Sequence, residues 1–170
     1  HALSSGSQVK LLMPLLGETG CRLAEIVGLE LDDIDMSEGV IHIRPNSIRR
    51  LKIMNSVRSL PLVGYAKEAM QLALEHSDKQ HLYPRYLKDG RCRATHASNA
   101  LCKWLKKDFG LTGHSLRHTF RDRLRASACP MEMIDQIGSW SSIGTVGTKY
   151  GLGYSIDLLR QQLLSISLIR

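Results

Sequence analysis

The apolar pattern changes period in the middle of the chain, and that switch limits the architectures open to it. Between Gln8 and Leu16 the apolar residues Val9, Leu11, Leu12, Met13, Leu15 and Leu16 recur at helical spacing, with Pro14 set to kink that helix or confine it to one side. Glu18-Thr19-Gly20 then breaks the chain, and Thr19 is placed to cap a second helix from Cys21 to Val27 whose Leu23, Ile26 and Val27 point inward. Val40-Ile41-His42-Ile43, Leu51-Lys52-Ile53 and Val57-Arg58-Ser59-Leu60 are instead short and rich in β-branched residues. Pro45-Asn46-Ser47 and Asn55-Ser56 separate them, so they read as a small antiparallel sheet. Helices return after Pro61, over roughly 65–76, 95–107, 115–127, 131–137 and 155–168, with a loop from Ser77 to Arg93 between the first two. The expected fold is mainly α with a small antiparallel β-sheet, of the α+β class. At 170 residues it is one domain around one core. The last apolar segment, from Ile156 to Ile169, has mixed spacing and suits packing either on its own core or on a neighbouring molecule.

Charge is unevenly distributed. Residues 1–38 hold seven carboxylates against Lys10 and Arg22, whereas residues 39–67 hold six basic side chains and no acid. Twelve more bases and only three acids fall between Lys79 and Ala126. Two basic blocks suit a surface facing a polyanion, because phosphate contacts release counterions. Nucleic acid is therefore the leading partner, and a solvated face kept charged for solubility is the plain alternative.

Other classes find no support. No apolar run approaches the roughly 20 residues that a helical membrane span requires, and residues 1–7 lack the basic and apolar regions of a secretory signal. Cys21, Cys92, Cys102 and Cys129 form no Cys-x-x-Cys pair and read as thiols of a reducing compartment. Only Cys21, beside Arg22, has part of what a nucleophilic cysteine needs.

The densest polar cluster is His114-Ser115-Leu116-Arg117-His118-Thr119-Phe120. On a helix His114 shares a face with both Arg117 and His118. A His pair at that spacing can bind zinc, but the Glu of His-Glu-x-x-His is missing. The competing reading is an anion site, with Arg117 as a bidentate fork and His114 as a further donor, and His118 as a hydrogen-bonded core residue. Arg22 is a second candidate, with Glu25 one helical turn on to hold its guanidinium.

These segments resemble a known family. Thr19-Gly20-Cys21-Arg22-Leu23-Ala24-Glu25, followed by Leu29-Glu30-Leu31-Asp32-Asp33-Ile34, is similar to the first arginine box of the tyrosine recombinases, the phage integrase family. His114 to Phe120 looks like the second box. Arg49-Arg50-Leu51-Lys52 and Val57-Arg58-Ser59-Leu60-Pro61-Leu62 resemble the hairpin carrying the family's catalytic lysine, and Gly138-Ser139-Trp140 and Tyr150 fall where its second His or Trp and its nucleophile stand. The boxes occur in order over about residues 18–155.

The resemblance implies a site-specific recombinase, encoded by a prokaryote, a phage or another mobile element and acting in the cytoplasm. Tyr150 would attack the scissile phosphodiester of double-stranded DNA, leaving a 3′-phosphotyrosyl bond and a free 5′-hydroxyl. Arg22 and Arg117 would clamp the non-bridging oxygens, Lys52 would protonate the leaving 5′-oxygen, His114 would assist proton transfer, and Trp140 would donate its indole N–H. No cofactor and no metal is implied. Tyr154 stays open as an alternative nucleophile, and Arg49 and Arg50 as alternatives to Lys52. The resemblance further implies that residues 1–170 are a catalytic domain cut from a longer integrase whose N-terminal DNA-binding domain is not included. A synaptic tetramer on DNA and a monomeric isolated domain are expected. Type IB topoisomerase-like relaxation and a non-catalytic DNA-binding accessory role are the other readings.

Overall fold

In a computed structural model, which describes residues 2–49, 56–140 and 153–169, the first long helix is the centre of the core. This helix, α1 (Gln8–Thr19), buries Leu11, Leu12, Leu15 and Leu16 and packs against α3 (Gly64–Leu74), α4 (Ala94–Phe109) and α5 (Gly113–Ala126). A helix apolar over most of its circumference has to sit inside. It runs through Pro14, where the sequence suggests a kink or an end. The helix stops at Gly20, whose φ of 63° is left-handed. A side chain there would also lie 2.4 Å from the Phe120 ring, so glycine is required on two counts.

The short α2 (Leu23–Val27) starts from Arg22, not from Thr19. Thr19 Oγ1 donates to the Leu15 carbonyl at 2.5 Å, which turns it back onto α1, and it accepts from Cys21 N at 3.2 Å. The first helical turn of α2 is closed by the Glu25 carboxylate, which accepts from Arg22 N at 2.7 Å.

The sheet is antiparallel, in the order β1 (Ile34–Asp35), β2 (Val40–Ile43), β3 (Arg58–Pro61). Ile41 pairs with Leu60 and Ile43 with Arg58, so Ile41, Ile43 and Leu60 point into the core. The expected strand Leu51–Ile53 lies outside the described residues. The expected loop from Ser77 to Arg93 contains a two-residue hairpin, β4 (Leu87–Lys88) and β5 (Arg91–Cys92), turned at Asp89-Gly90 with positive φ at both positions.

After α6 (Met131–Gly138), α7 (Ile156–Ile166) returns to β3 and α5 and buries Leu159 and Leu163. Of the two placements open to this tail, the structure has the one on its own core. The buried Glu18 carboxylate fastens its end, accepting from Leu168 N at 3.0 Å and from Ala66 N, in the first turn of α3, at 3.4 Å. Among the described residues no helix is long and apolar enough to cross a membrane.

Candidate active site

The turn at Gly20 and the start of α2 bring Arg22 to the end of α6, with Arg117 of α5 beside it. Arg22 Nη1 donates to Glu25 Oε1 at 2.8 Å and Nη2 to the Ser139 carbonyl at 2.9 Å. Arg117 donates from Nη1 to the Gly20 carbonyl and from Nη2 to the Gly138 carbonyl. Two guanidiniums 95 positions apart in sequence thus hang on consecutive peptide carbonyls, Gly138 and Ser139. Arg117 is 8% exposed, and the Arg22 side chain 35%. Burial, and then the neighbouring Arg22 charge, pull the Arg117 guanidinium down to about 10. It stays protonated at neutral pH, but it is a cation crowded by another, the electrostatic condition that favours an incoming anion.

Sequence reasoning placed Glu25 beside Arg22 and missed its second partner. Arg58, on β3, donates to Glu25 Oε2 at 2.8 Å and Oε1 at 3.2 Å, to the Ile137 carbonyl at 2.8 Å and to the Ser56 carbonyl at 2.9 Å. Burial alone would raise the Glu25 carboxyl. Arg58, with help from Arg22, outweighs burial and holds it below the usual carboxylate value. Burial also works against the Arg58 charge, and Cys21 and Glu25 outweigh it, so Arg58 is held above the ordinary arginine value. One carboxylate therefore fixes two arginines.

Trp140 closes the cluster. Its ring centroid lies 4.2 Å from Arg117 Cζ and 5.1 Å from Arg121 Cζ, a cation–π pair of contacts on one indole. The ring presses on Gly138, where a Cβ would be 1.8 Å from Trp140 Cζ3. Arg121 was not singled out from the sequence. Its Nη2 is 3.8 Å from Asp135 Oδ1, and its buried Nε has no hydrogen-bond partner among the described residues. The signal for it was present: position 121 follows Arg117 by one helical turn.

His114 and His118 do share a face of α5, with Nε2 atoms 2.8 Å apart and rings edge to face. His118 is exposed, so the expectation of a core histidine is corrected. The α5 N-cap is Thr112, which accepts from Ser115 N at 3.2 Å and fixes the helix just before His114. Lys52 and Tyr150 lie outside the described residues, as does Arg50. Arg49 has a structural role: it is buried, donates to the carbonyls of Glu25 and Arg44, and approaches Asp33 at 3.6 Å. Tyr154, the alternative nucleophile, is half-buried against the core, and Gln136 clamps its backbone at 2.8 and 3.0 Å. Cys21 is buried, and burial pushes its thiol up, away from the thiolate a nucleophile needs. Among the described residues no group of three metal-ligating side chains converges.

Comparisons with known proteins place the fold. Residues 2–151 match the profile described as the phage integrase family. Tyrosine recombinase XerC of Herpetosiphon aurantiacus is 28% identical over 151 residues, 82% of this chain and 46% of that protein. Tyrosine recombinase XerA of Thermococcus kodakarensis is 25% identical over 142 residues, 80% and 48%. The chain spans about half the length of the curated relatives it matches. Among solved structures, a crystal structure of XerA recombinase superposes with a TM-score of 0.65 at 22% identity, over 96% of this chain and 58% of the other. The Tn1549 transposon integrase, solved with a circular intermediate DNA, gives 0.61 at 21%, over 93% and 59%. The fold is that of a tyrosine recombinase catalytic domain. With the profile covering nearly the whole sequence and the two arginine boxes meeting at one point in space, the chain belongs to the phage integrase family.

Proposed function

We propose that this chain is the catalytic domain of a site-specific recombinase that cuts and rejoins double-stranded DNA through a 3′-phosphotyrosyl intermediate. The observation that carries the reading is the meeting of Arg22 and Arg117 on the Gly138 and Ser139 carbonyls. Two pre-aimed guanidiniums, one depressed by burial and then by the other's charge, suit the two non-bridging oxygens of a phosphodiester. Negative charge grows on those oxygens as phosphorus becomes pentacoordinate, so fixed donors there stabilise the transition state more than the ground state. Tyr150 is the nucleophile. Its phenol, with an ordinary pKa of about 10, passes its proton towards His114, while Lys52 protonates the departing 5′-oxygen. The phosphotyrosyl bond retains the energy of the cleaved ester, so rejoining needs no nucleotide cofactor. Trp140 holds Arg117 through its ring and offers its N–H to the phosphate. The packing of Tyr154 against the core and the clamp on its backbone support Tyr150 over Tyr154.

The Tn1549 integrase is in complex with DNA, and the basic block from Lys79 to Ala126 of this chain suits a DNA backbone. The protein acts in the cytoplasm, as a monomer off DNA and a tetramer in the synapse. The fold-back of α7, with Leu158, Leu164 and Leu168 exposed, supports a monomer that carries apolar surface for later assembly.

A nicked duplex that traps the covalent intermediate tests the reading. The wild-type chain is expected to give an adduct stable to denaturation, and Tyr150→Phe none. An adduct persisting in Tyr150→Phe moves the nucleophile to Tyr154. No adduct from either protein turns the reading into non-catalytic DNA binding.

A further inference from the structure

The mechanism uses His114 and leaves His118 without a task, yet the two rings are held face to edge with their Nε2 atoms 2.8 Å apart on the exposed side of α5. Two neutral imidazoles at that distance share one proton: one ring donates its Nε2–H and the other accepts through its Nε2 lone pair. That places two nitrogen ligands on one helical turn, close enough to reach one ion and open to solvent.

We propose that His114 and His118 form a chelating site for a borderline divalent transition ion, of which Zn2+ and Ni2+ are examples, and that occupancy withdraws His114 from the reaction centre. A metal bonded to both Nε2 atoms at about 2.0–2.1 Å in tetrahedral geometry needs them roughly 3.3 Å apart. The rings have only to open slightly from their present separation, by side-chain rotation at exposed positions. The shared proton moves to Nδ1 of the ring that held it, so both rings coordinate as neutral ligands and no redox step is involved. Water fills the remaining positions, since no third ligating side chain converges among the described residues. Imidazole selects Zn2+, Ni2+ or Cu2+ over Mg2+ or Ca2+, which want oxygen donors. Because the ion occupies His114 Nε2, the site is inhibitory.

Metal binding stands on the pair's geometry alone. The inhibition rests on the proposed role of His114. Titration of the DNA-free chain with Zn2+ against a chromophoric chelator, repeated with Ni2+ and Mg2+, reads the first. We expect tight binding of Zn2+ and Ni2+, none of Mg2+, and a loss of about 100-fold or more in His118→Ala, because a chelate becomes a single ligand. Circular dichroism confirms that the variant is folded. Equal Zn2+ affinity in wild type and His118→Ala, or a site lost only when cysteines are replaced, overturns the proposal. In the covalent-adduct assay, Zn2+ is expected to suppress wild-type cleavage and to spare His118→Ala. Zinc bound at the pair without loss of cleavage overturns the role given to His114 and leaves the metal site standing.

Discussion

Replacing Glu25 by Gln removes one negative charge from between Arg22 and Arg58 without changing the shape of the side chain. The carboxylate accepts four N–H groups, from Arg22 N, Arg22 Nη1 and both Arg58 Nη atoms, at 2.7 to 3.2 Å. Its side chain is 4% exposed and that of Arg58 5%, so this pair sits away from solvent screening. Breaking a buried pair from one side costs about 3–5 kcal/mol. The amide oxygen of Gln still accepts, which returns about 1 kcal/mol, and the Arg22 share is small because that side chain is 35% exposed. The expected destabilisation is about 2–4 kcal/mol at neutral pH. With an unfolding slope of about 2 kcal/mol per molar urea, the midpoint falls by roughly 1–2 M. The pH dependence has a definite sign. The folded Glu25 pKa lies below its unfolded value, so its contribution is fully present above the unfolded carboxylate pKa of about 4.3 and fades as pH drops through the lower folded value. Urea melts followed by circular dichroism should therefore show the gap between wild type and variant at its full size at pH 7 and shrinking below about pH 4. A gap under about 0.5 kcal/mol at pH 7, or one that widens toward acid, would refute the claim that this carboxylate holds both arginines.

Other outcomes follow from the same contacts. Gly138→Ala should lower stability by up to about 2 kcal/mol in urea melts: helix propensity gains roughly 1 kcal/mol, but the new methyl meets the Trp140 ring and forces overpacking of about 1–3 kcal/mol. In a Trp104→Phe background, which leaves Trp140 as the single tryptophan, Arg121→Ala should raise acrylamide quenching of its fluorescence, since one guanidinium covering the ring is gone. Unchanged quenching means that Arg121 does not hold the indole. Glu18→Gln should speed proteolytic trimming of the last residues after α7, because the partner of Leu168 N and Arg123 loses its charge. Arg22→Ala should weaken DNA binding and lower the slope of log affinity against log salt by about 1, one phosphate contact fewer, as measured by fluorescence anisotropy.

What the sequence made legible is what is carried by short spacings. Arg22 and Glu25, three apart, and His114 and His118, four apart, are neighbours at helical spacing whatever surrounds them, and the structure keeps both contacts. The Asp89-Gly90 hairpin is equally legible by its turn chemistry, although its two-residue strands are too short to show a period and read as loop. Partners chosen by chain closure were not legible. Arg58 meets Glu25 across 33 residues, and Arg117 meets the Gly20 and Gly138 carbonyls across 97 and 21, so no local pattern announces them. Thr19 illustrates a local rule losing to a local competitor. Its hydroxyl could cap the next helix, but the Leu15 carbonyl one turn back was nearer. β1 has two residues, too few to display any period.

The carbonyls at the end of α6 have a consequence for how substrate is met. Long cationic side chains normally sweep many rotamers and surrender that freedom on capturing an anion, at about 2 kcal/mol each. Here Gly138 and Ser139 immobilise Arg117 and Arg22 when the chain folds. The ordering is thus complete before any anion arrives, and in the proposed reaction the encounter with a phosphate need not arrange its own receptor. The same arrangement ties conformational stability and the proposed chemistry to the few residues at this helix end.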